Sequence, residues 1–101
     1  MEAKEINETL TDAIETYGKD DQIWMAIEEM SELSNALAKY RRGRVTKEDV
    51  CEEIADVEIM CHQMVIIFGV TNVTEILQTK MERLKNRLEK HHIKDNKINV
   101  V

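Results

Sequence analysis

The sequence has no proline, three glycines, two cysteines and only four aromatic residues in 101. Without proline nothing breaks a helix from within, and so few glycines leave little material for tight turns. An aromatic content of 4% is poor stock for a β-sandwich or barrel, whose strands favour aromatic and β-branched side chains. Positive charge is also short: 14 basic residues against 20 acidic ones give a net charge of −6. That balance argues against a partner that is a nucleic-acid polymer, because such affinity comes from Lys and Arg neutralising phosphates. The start, Met1-Glu2-Ala3-Lys4-Glu5, has no apolar signal core, and the apolar stretch beyond Ile59 is broken by His62, Gln63, Asn72 and Glu75. The expectation is a cytoplasmic chain that does not enter a membrane. Cys51 and Cys61 lie ten residues apart on one predicted helix. A rise of roughly 15 Å between them forbids a disulfide, so they read as reduced, packed thiols.

What is present, 43% hydrophobic and 34% charged residues, suits long amphipathic helices, and the chain reads as an all-α, single-domain, four-helix bundle over residues 1–101. A domain this short buries a modest fraction of its surface and gains from a partner subunit, so a homodimer or homotetramer is expected. The first helix is predicted from Glu2 to Tyr17, with Ile6, Leu10, Ala13, Ile14 and Tyr17 at helical spacing and Gly18 as its stop. The second spans Gln22 to Tyr40, with Ile23, Ala26, Ile27, Met30, Leu33, Leu37 and Tyr40 on one stripe. Thr46-Lys47-Glu48-Asp49 has the form of a capping box with Asp in the acidic place, opening a third helix that ends at Phe68 before Gly69. Its second half, Val57 to Phe68, is apolar on most of its circumference and should be buried on nearly all sides. The fourth helix, capped by Thr71 or Asn72, carries Val73, Ile76, Leu77, Met81, Leu84 and Leu88 until His91. Residues 92–101 are expected to form a flexible tail.

The acids are unevenly spread. Met1 to Ala38 holds ten acids against Lys4 and Lys19, and Glu48 to Glu58 holds six with no base between them. Such crowding costs stability unless a cation neutralises it. Glu28, Glu29 and Glu32 lie within roughly 100° of one another on the helical wheel, and Glu29 with Glu32 form an i, i+3 pair. Glu53 and Asp56 repeat that pair on the third helix, in line with Met60, Met64 and Ile67, an unusual place for a solvated charge. Two such pairs facing each other would give hard oxygen ligands suited to Mg²⁺ or Mn²⁺. The plainer reading, acids on solvated helix faces, fits the same spacing.

Glu28-Glu29-x-x-Glu32, then 20 residues, then Glu53-x-x-Asp56 resembles the paired acidic signature of the MazG-like all-α nucleoside triphosphate pyrophosphohydrolases. The likeness covers roughly residues 18 to 90 and includes Gln22 to Ile27, the basic segment Lys39 to Arg44, Glu52 to Met60, and Lys80 to Arg83. It implies a helical bundle completed by dimerisation and cleavage of a nucleoside triphosphate to the monophosphate and pyrophosphate. It also implies Glu29, Glu32, Glu53 and Asp56 as ligands of Mg²⁺, for which Mn²⁺ can substitute, with Glu28 or Glu32 orienting the attacking water.

Phosphate charge calls for cations as well. Lys39, Arg41, Arg42, Arg44 and Lys47 follow one another without an acid between them, and Lys80 and Arg83 stand one turn apart. Lys39, Arg42, Lys80 and Arg83 are the candidate phosphate contacts, since such groups grip phosphate oxygens; a solvated basic helix end is the alternative for the loop residues. Gln22 and Trp24 are candidates for the base, by hydrogen bonding and stacking, although Trp24 fits a subunit interface equally well. A single Glu-x-x-His at Glu89 to His92 falls short of the two that di-iron bundles use, and His62 reads as a packed histidine. Two further readings stand beside the main one: a non-catalytic helical dimerisation module, and a specialised dUTP or phosphoribosyl-ATP pyrophosphohydrolase.

Overall fold

In the computed structural model the chain is all-α, with α1 (Ala3–Tyr17), α2 (Lys19–Arg41), α3 (Lys47–Phe68) and α4 (Val70–Val100). The backbone is described for residues 1–100 and side chains through Lys94. Among the described residues no single helix is long and apolar enough to cross a membrane.

Local chemistry sets the breaks. Gly18, at φ 95°, is the sole residue between α1 and α2, a backbone angle that side-chain-bearing residues rarely adopt. Because one glycine suffices, α2 begins three residues before the expected Gln22, and Asp20 and Asp21 fall in its first turn, where carboxylates complement the helix dipole. At the other end of α2, Gly43 N–H donates to Tyr40 O (2.9 Å) and Arg44 N–H to Lys39 O (2.9 Å). With Gly43 at φ 71°, this is the Schellman closure, and it satisfies carbonyls that a helix end leaves open. The expected capping box opens α3: Thr46 N–H donates to Asp49 Oδ2 (2.8 Å) and Asp49 N–H to Thr46 Oγ1 (3.2 Å). Hydrogen bonding of its carboxylate by the Thr46 backbone N–H, and then by the Thr46 side chain, holds the Asp49 carboxyl below its usual range. α4 starts at Val70, ahead of the expected Thr71 or Asn72 cap, and runs on past His91. The side chains of the expected tail beyond Lys94 lie outside the described residues.

The chain divides into two compact units, Met1–Phe68 and the part from Gly69 onward. In the first, α2 packs along α3 and α1 touches both. The five-residue connection at 42–46 makes α2 and α3 an antiparallel hairpin. The buried residues are Leu10 from α1, Gln22 and Ala26 from α2, and Val50, Met60 and Gln63 from α3. On α2 the covered face is Gln22, Ala26, Glu29, Leu33 and Ala36, rotated away from the larger apolar residues of the expected stripe. Ile27, Met30, Leu37 and Tyr40 are exposed. Ala26 and Ala36 put small side chains on that covered face.

On α3 the covered face is Val50, Glu53, Val57, Met60, Gln63 and Met64. Ile59 is 50% and Phe68 59% exposed, so the near-complete burial expected for Val57 to Phe68 is not met within the chain. Cys51 and Cys61 are free, as expected, but exposed and not packed; His62, expected in the core, is also exposed. The second unit is α4. None of its described residues is buried, and Ile76, Leu77, Met81, Leu84 and Leu88 are all open.

Candidate metal centre

The α2–α3 seam carries charge where a helix pair ordinarily carries only apolar side chains. Glu29 from α2 and Glu53 and Asp56 from α3 each offer a carboxylate oxygen, and the three oxygens lie within 4.8 Å of one another. The antiparallel hairpin explains the convergence: residues rising along α2 meet residues falling along α3, so Glu29 comes level with Asp56. Glu29 and Glu53 are half-buried and Asp56 is exposed.

The electrostatics are those of anions without a counterion. Partial burial raises the Glu29 pKa, and the charges of Glu32, Asp56 and Glu53, with a hydrogen-bond contact to Glu32, push the same way. Glu53 is raised in the same manner, by partial burial first, then by Glu32, Asp56 and Glu52. Nothing lowering either group comes from a cation. Oε2 of Glu29 and Oε2 of Glu53 are both buried with no hydrogen-bond partner, and a buried acceptor in that condition is costly.

Four carboxylates thus belong to one cluster, with Glu32 felt by both half-buried members. Carboxylate oxygens of this kind, two of them orphaned, are hard donors that could hold a metal ion.

Two hollows border the cluster. Glu29 and Asp56 line a cleft of about 570 Å³ whose other walls are Ala13, Tyr17, Asp21, Gln22, Met25, Ile59, Met60 and Gln63. Glu32 and Glu53 line a smaller hollow of about 200 Å³ with Asn35, Ala36, Lys39, Val45 and Asp49. The structure therefore brings Gln22 and Lys39, chosen from sequence for the base and the phosphates, to the two hollows that share the carboxylates. Glu28 is exposed on α2 and is not one of the three converging residues. Arg42 stands exposed at the C-cap of α2. Trp24 is 65% exposed and does not line the larger cleft. In the other unit, Lys80 and Arg83 share a hollow of α4 with Glu75, Ile76 and Thr79.

Sequence reasoning passed over Gln63, which is 3% exposed with a buried, unpartnered Oε1. Its signal was legible: a polar residue three positions beyond Met60 on an apolar stripe, seven beyond Asp56. Asn35, beside Lys39 in the smaller hollow, was also missed and carries no comparable signal, since an Asn at a helix surface is ordinary. No family model, curated protein or solved structure matches this chain.

Proposed function

We propose that this chain is a Mg²⁺-dependent nucleoside triphosphate pyrophosphohydrolase that releases pyrophosphate and leaves a nucleoside monophosphate, acting in nucleotide-pool housekeeping as a cytoplasmic homo-oligomer. The observation that carries the reading is the meeting of Glu29, Glu53 and Asp56 with two buried, unpartnered carboxylate oxygens. Leaving such oxygens without a partner is unfavourable in the empty protein and becomes favourable when a divalent cation enters. The resemblance of Glu28 to Glu32 and Glu53 to Asp56 to the MazG-like signature points the same way.

Glu29, Glu32, Glu53 and Asp56 would hold the metal, with Mn²⁺ able to replace Mg²⁺. When bound, the metal neutralises phosphate charge and makes a water nucleophilic at neutral pH. Lys39, in the hollow shared with Glu32 and Glu53, supplies a cation to the leaving pyrophosphate. In this reading Glu32, or Glu28 from the adjoining exposed face, orients the water. Arg42, at the C-cap of α2, is a further phosphate contact in this reading, and Lys80 and Arg83 are phosphate candidates on the resemblance alone. Homo-oligomerisation is supported by the apolar stripe of α4 and by exposed Ile59 and Phe68 on α3.

The test is pyrophosphate release from a panel of ribo- and deoxyribonucleoside triphosphates, with Mg²⁺ or EDTA, for the parent chain and Asp56→Ala. Metal-dependent release that vanishes in a folded Asp56→Ala supports the reading. Absence of release from every triphosphate sinks it and leaves the helical interaction module, which the open apolar faces favour. A response confined to dUTP or phosphoribosyl-ATP would identify a specialised relative.

A further inference from the structure

The larger cleft has a polar end that the carboxylates do not explain. Gln63 is 3% and Gln22 7% exposed, both line the cleft, and Oε1 of Gln63 has no hydrogen-bond partner. A buried amide without its hydrogen bonds is unfavourable, and a well-packed apolar residue would ordinarily replace it. Gln22 precedes Glu29 by seven residues, and Gln63 follows Asp56 by seven. The glutamine end of the cleft therefore lies two helical turns, roughly 10.5 Å of rise, from the carboxylate end. Tyr17, Met25, Ile59 and Met60 supply largely apolar walls.

We infer that this cleft is the nucleoside pocket of the site, and that Gln63, assisted by Gln22, reads the edge of the base. The inference rests on the pyrophosphohydrolase reading, which puts the triphosphate at the carboxylates. An amide presents an acceptor and a donor side by side, the complement of a base edge that carries an amino or imino N–H beside a ring nitrogen or carbonyl. The unpartnered acceptor of Gln63 calls for an N–H, which a base edge carries and a phosphate oxygen does not. The last torsion of a glutamine is broad, so the amide can turn to meet an incoming edge. Methionine thioethers and the Tyr17 ring adapt to a flat heterocycle. Two turns of helix leave space for the sugar between the amides and the carboxylates.

The experiment titrates ¹⁵N-labelled full chain with AMP, CMP, GMP and UMP, and with ribose 5-phosphate as a base-free probe, in Mg²⁺ and in EDTA. The readouts are affinity and the shift of the Gln63 side-chain amide resonance. At least one nucleotide should move that resonance and bind about tenfold or more tightly than ribose 5-phosphate. Gln63→Leu should lose that advantage while its Tm stays level or rises, because an unpartnered acceptor has been removed. A purely structural Gln63 would lower Tm and leave the preference for base-bearing probes intact, overturning the proposal. So would equal binding of nucleotides and ribose 5-phosphate, or no binding at all. The two readings separate cleanly. Base-dependent binding at Gln63 with no pyrophosphate release keeps the pocket and rejects the hydrolase; release with an unchanged KM in Gln63→Leu keeps the hydrolase and rejects the pocket.

Discussion

The α2–α3 seam and the α4 stripe depart from ordinary helix packing in opposite directions. Along the seam, Gln22, Glu29, Glu53 and Gln63 occupy covered positions, and three of their side-chain oxygens are buried without partners. Along α4, Leu77, Met81, Leu84 and Leu88 occupy open ones. Covered polar groups that lack partners are unfavourable in the empty protein and gain from a ligand that supplies a cation or a hydrogen-bond donor. Uncovered apolar groups on a helix are unfavourable in the isolated chain and gain from another protein surface. One region is short of a ligand, the other short of a neighbour. The same sequence habit, an i, i+3, i+4 repeat, underlies both.

The strongest way to break this contrast is at the seam. Asp56→Ala or Glu53→Ala should lower Mg²⁺-dependent pyrophosphate release by about 10²-fold or more, whereas Leu84→Ala should leave the rate at saturating substrate within a fewfold. Steady-state kinetics on folded variants decides between them, and equal losses would erase the distinction. Next in size is the neighbour that α4 lacks. Leu77→Asp with Leu84→Asp should weaken self-association by about 2 kcal/mol or more, read by sedimentation equilibrium; a parent chain that sediments as a monomer would refute the assignment of that stripe to a second copy.

Metal and pH sharpen the seam further. Adding Mg²⁺ at about 100 times its Kd should stabilise the parent by about 2.7 kcal/mol over the EDTA-treated protein, in a thermal melt that Asp56→Ala does not share. Glu29 and Glu53 have folded-state pKa values raised above the ordinary glutamate value of 4.5. In the metal-free protein the folded state therefore holds protons that the unfolded chain has released, and stability falls as pH rises from about 4.5 through the raised values. Glu53→Gln should remove part of that fall. Its Tm in EDTA should exceed the parent's at neutral pH, and the difference should close below pH 4.5; a lower Tm at neutral pH would contradict the repulsion.

The smallest effect belongs to local structure. Thr46→Ala should cost about 1 kcal/mol by denaturant melt, because the bond that Thr46 Oγ1 accepts from Asp49 N–H is lost. Turnover at saturating Mg²⁺ should stay near that of the parent, since Thr46 itself lines neither hollow at the carboxylates.

Much of the fold could be read from particular residues. Thr46 and Asp49 announced the start of α3, and Gly18, Gly43 and Gly69 marked the ends of helices, because caps and chain reversals depend on groups a few residues apart. The start of α2 was misread since Lys19-Asp20-Asp21 looks like a loop until Gly18 alone is seen to turn the chain. The acids of the site were legible as two i, i+3 pairs, but their relative weight was not. Glu29 lies on the covered face of α2, and Glu28 did not join the three converging oxygens.

By itself the sequence determined the all-α class, the cap of α3 and the presence of two acidic pairs at helical spacing, because each depends on interactions within a turn or two of one helix. Only the tertiary structure decided which face of α2 meets α3. That choice is a property of two surfaces together. With it came the level pairing of Glu29 with Asp56 and the burial of Gln63, since what lies across a seam is set by the register of two helices and not by the spacing along either one.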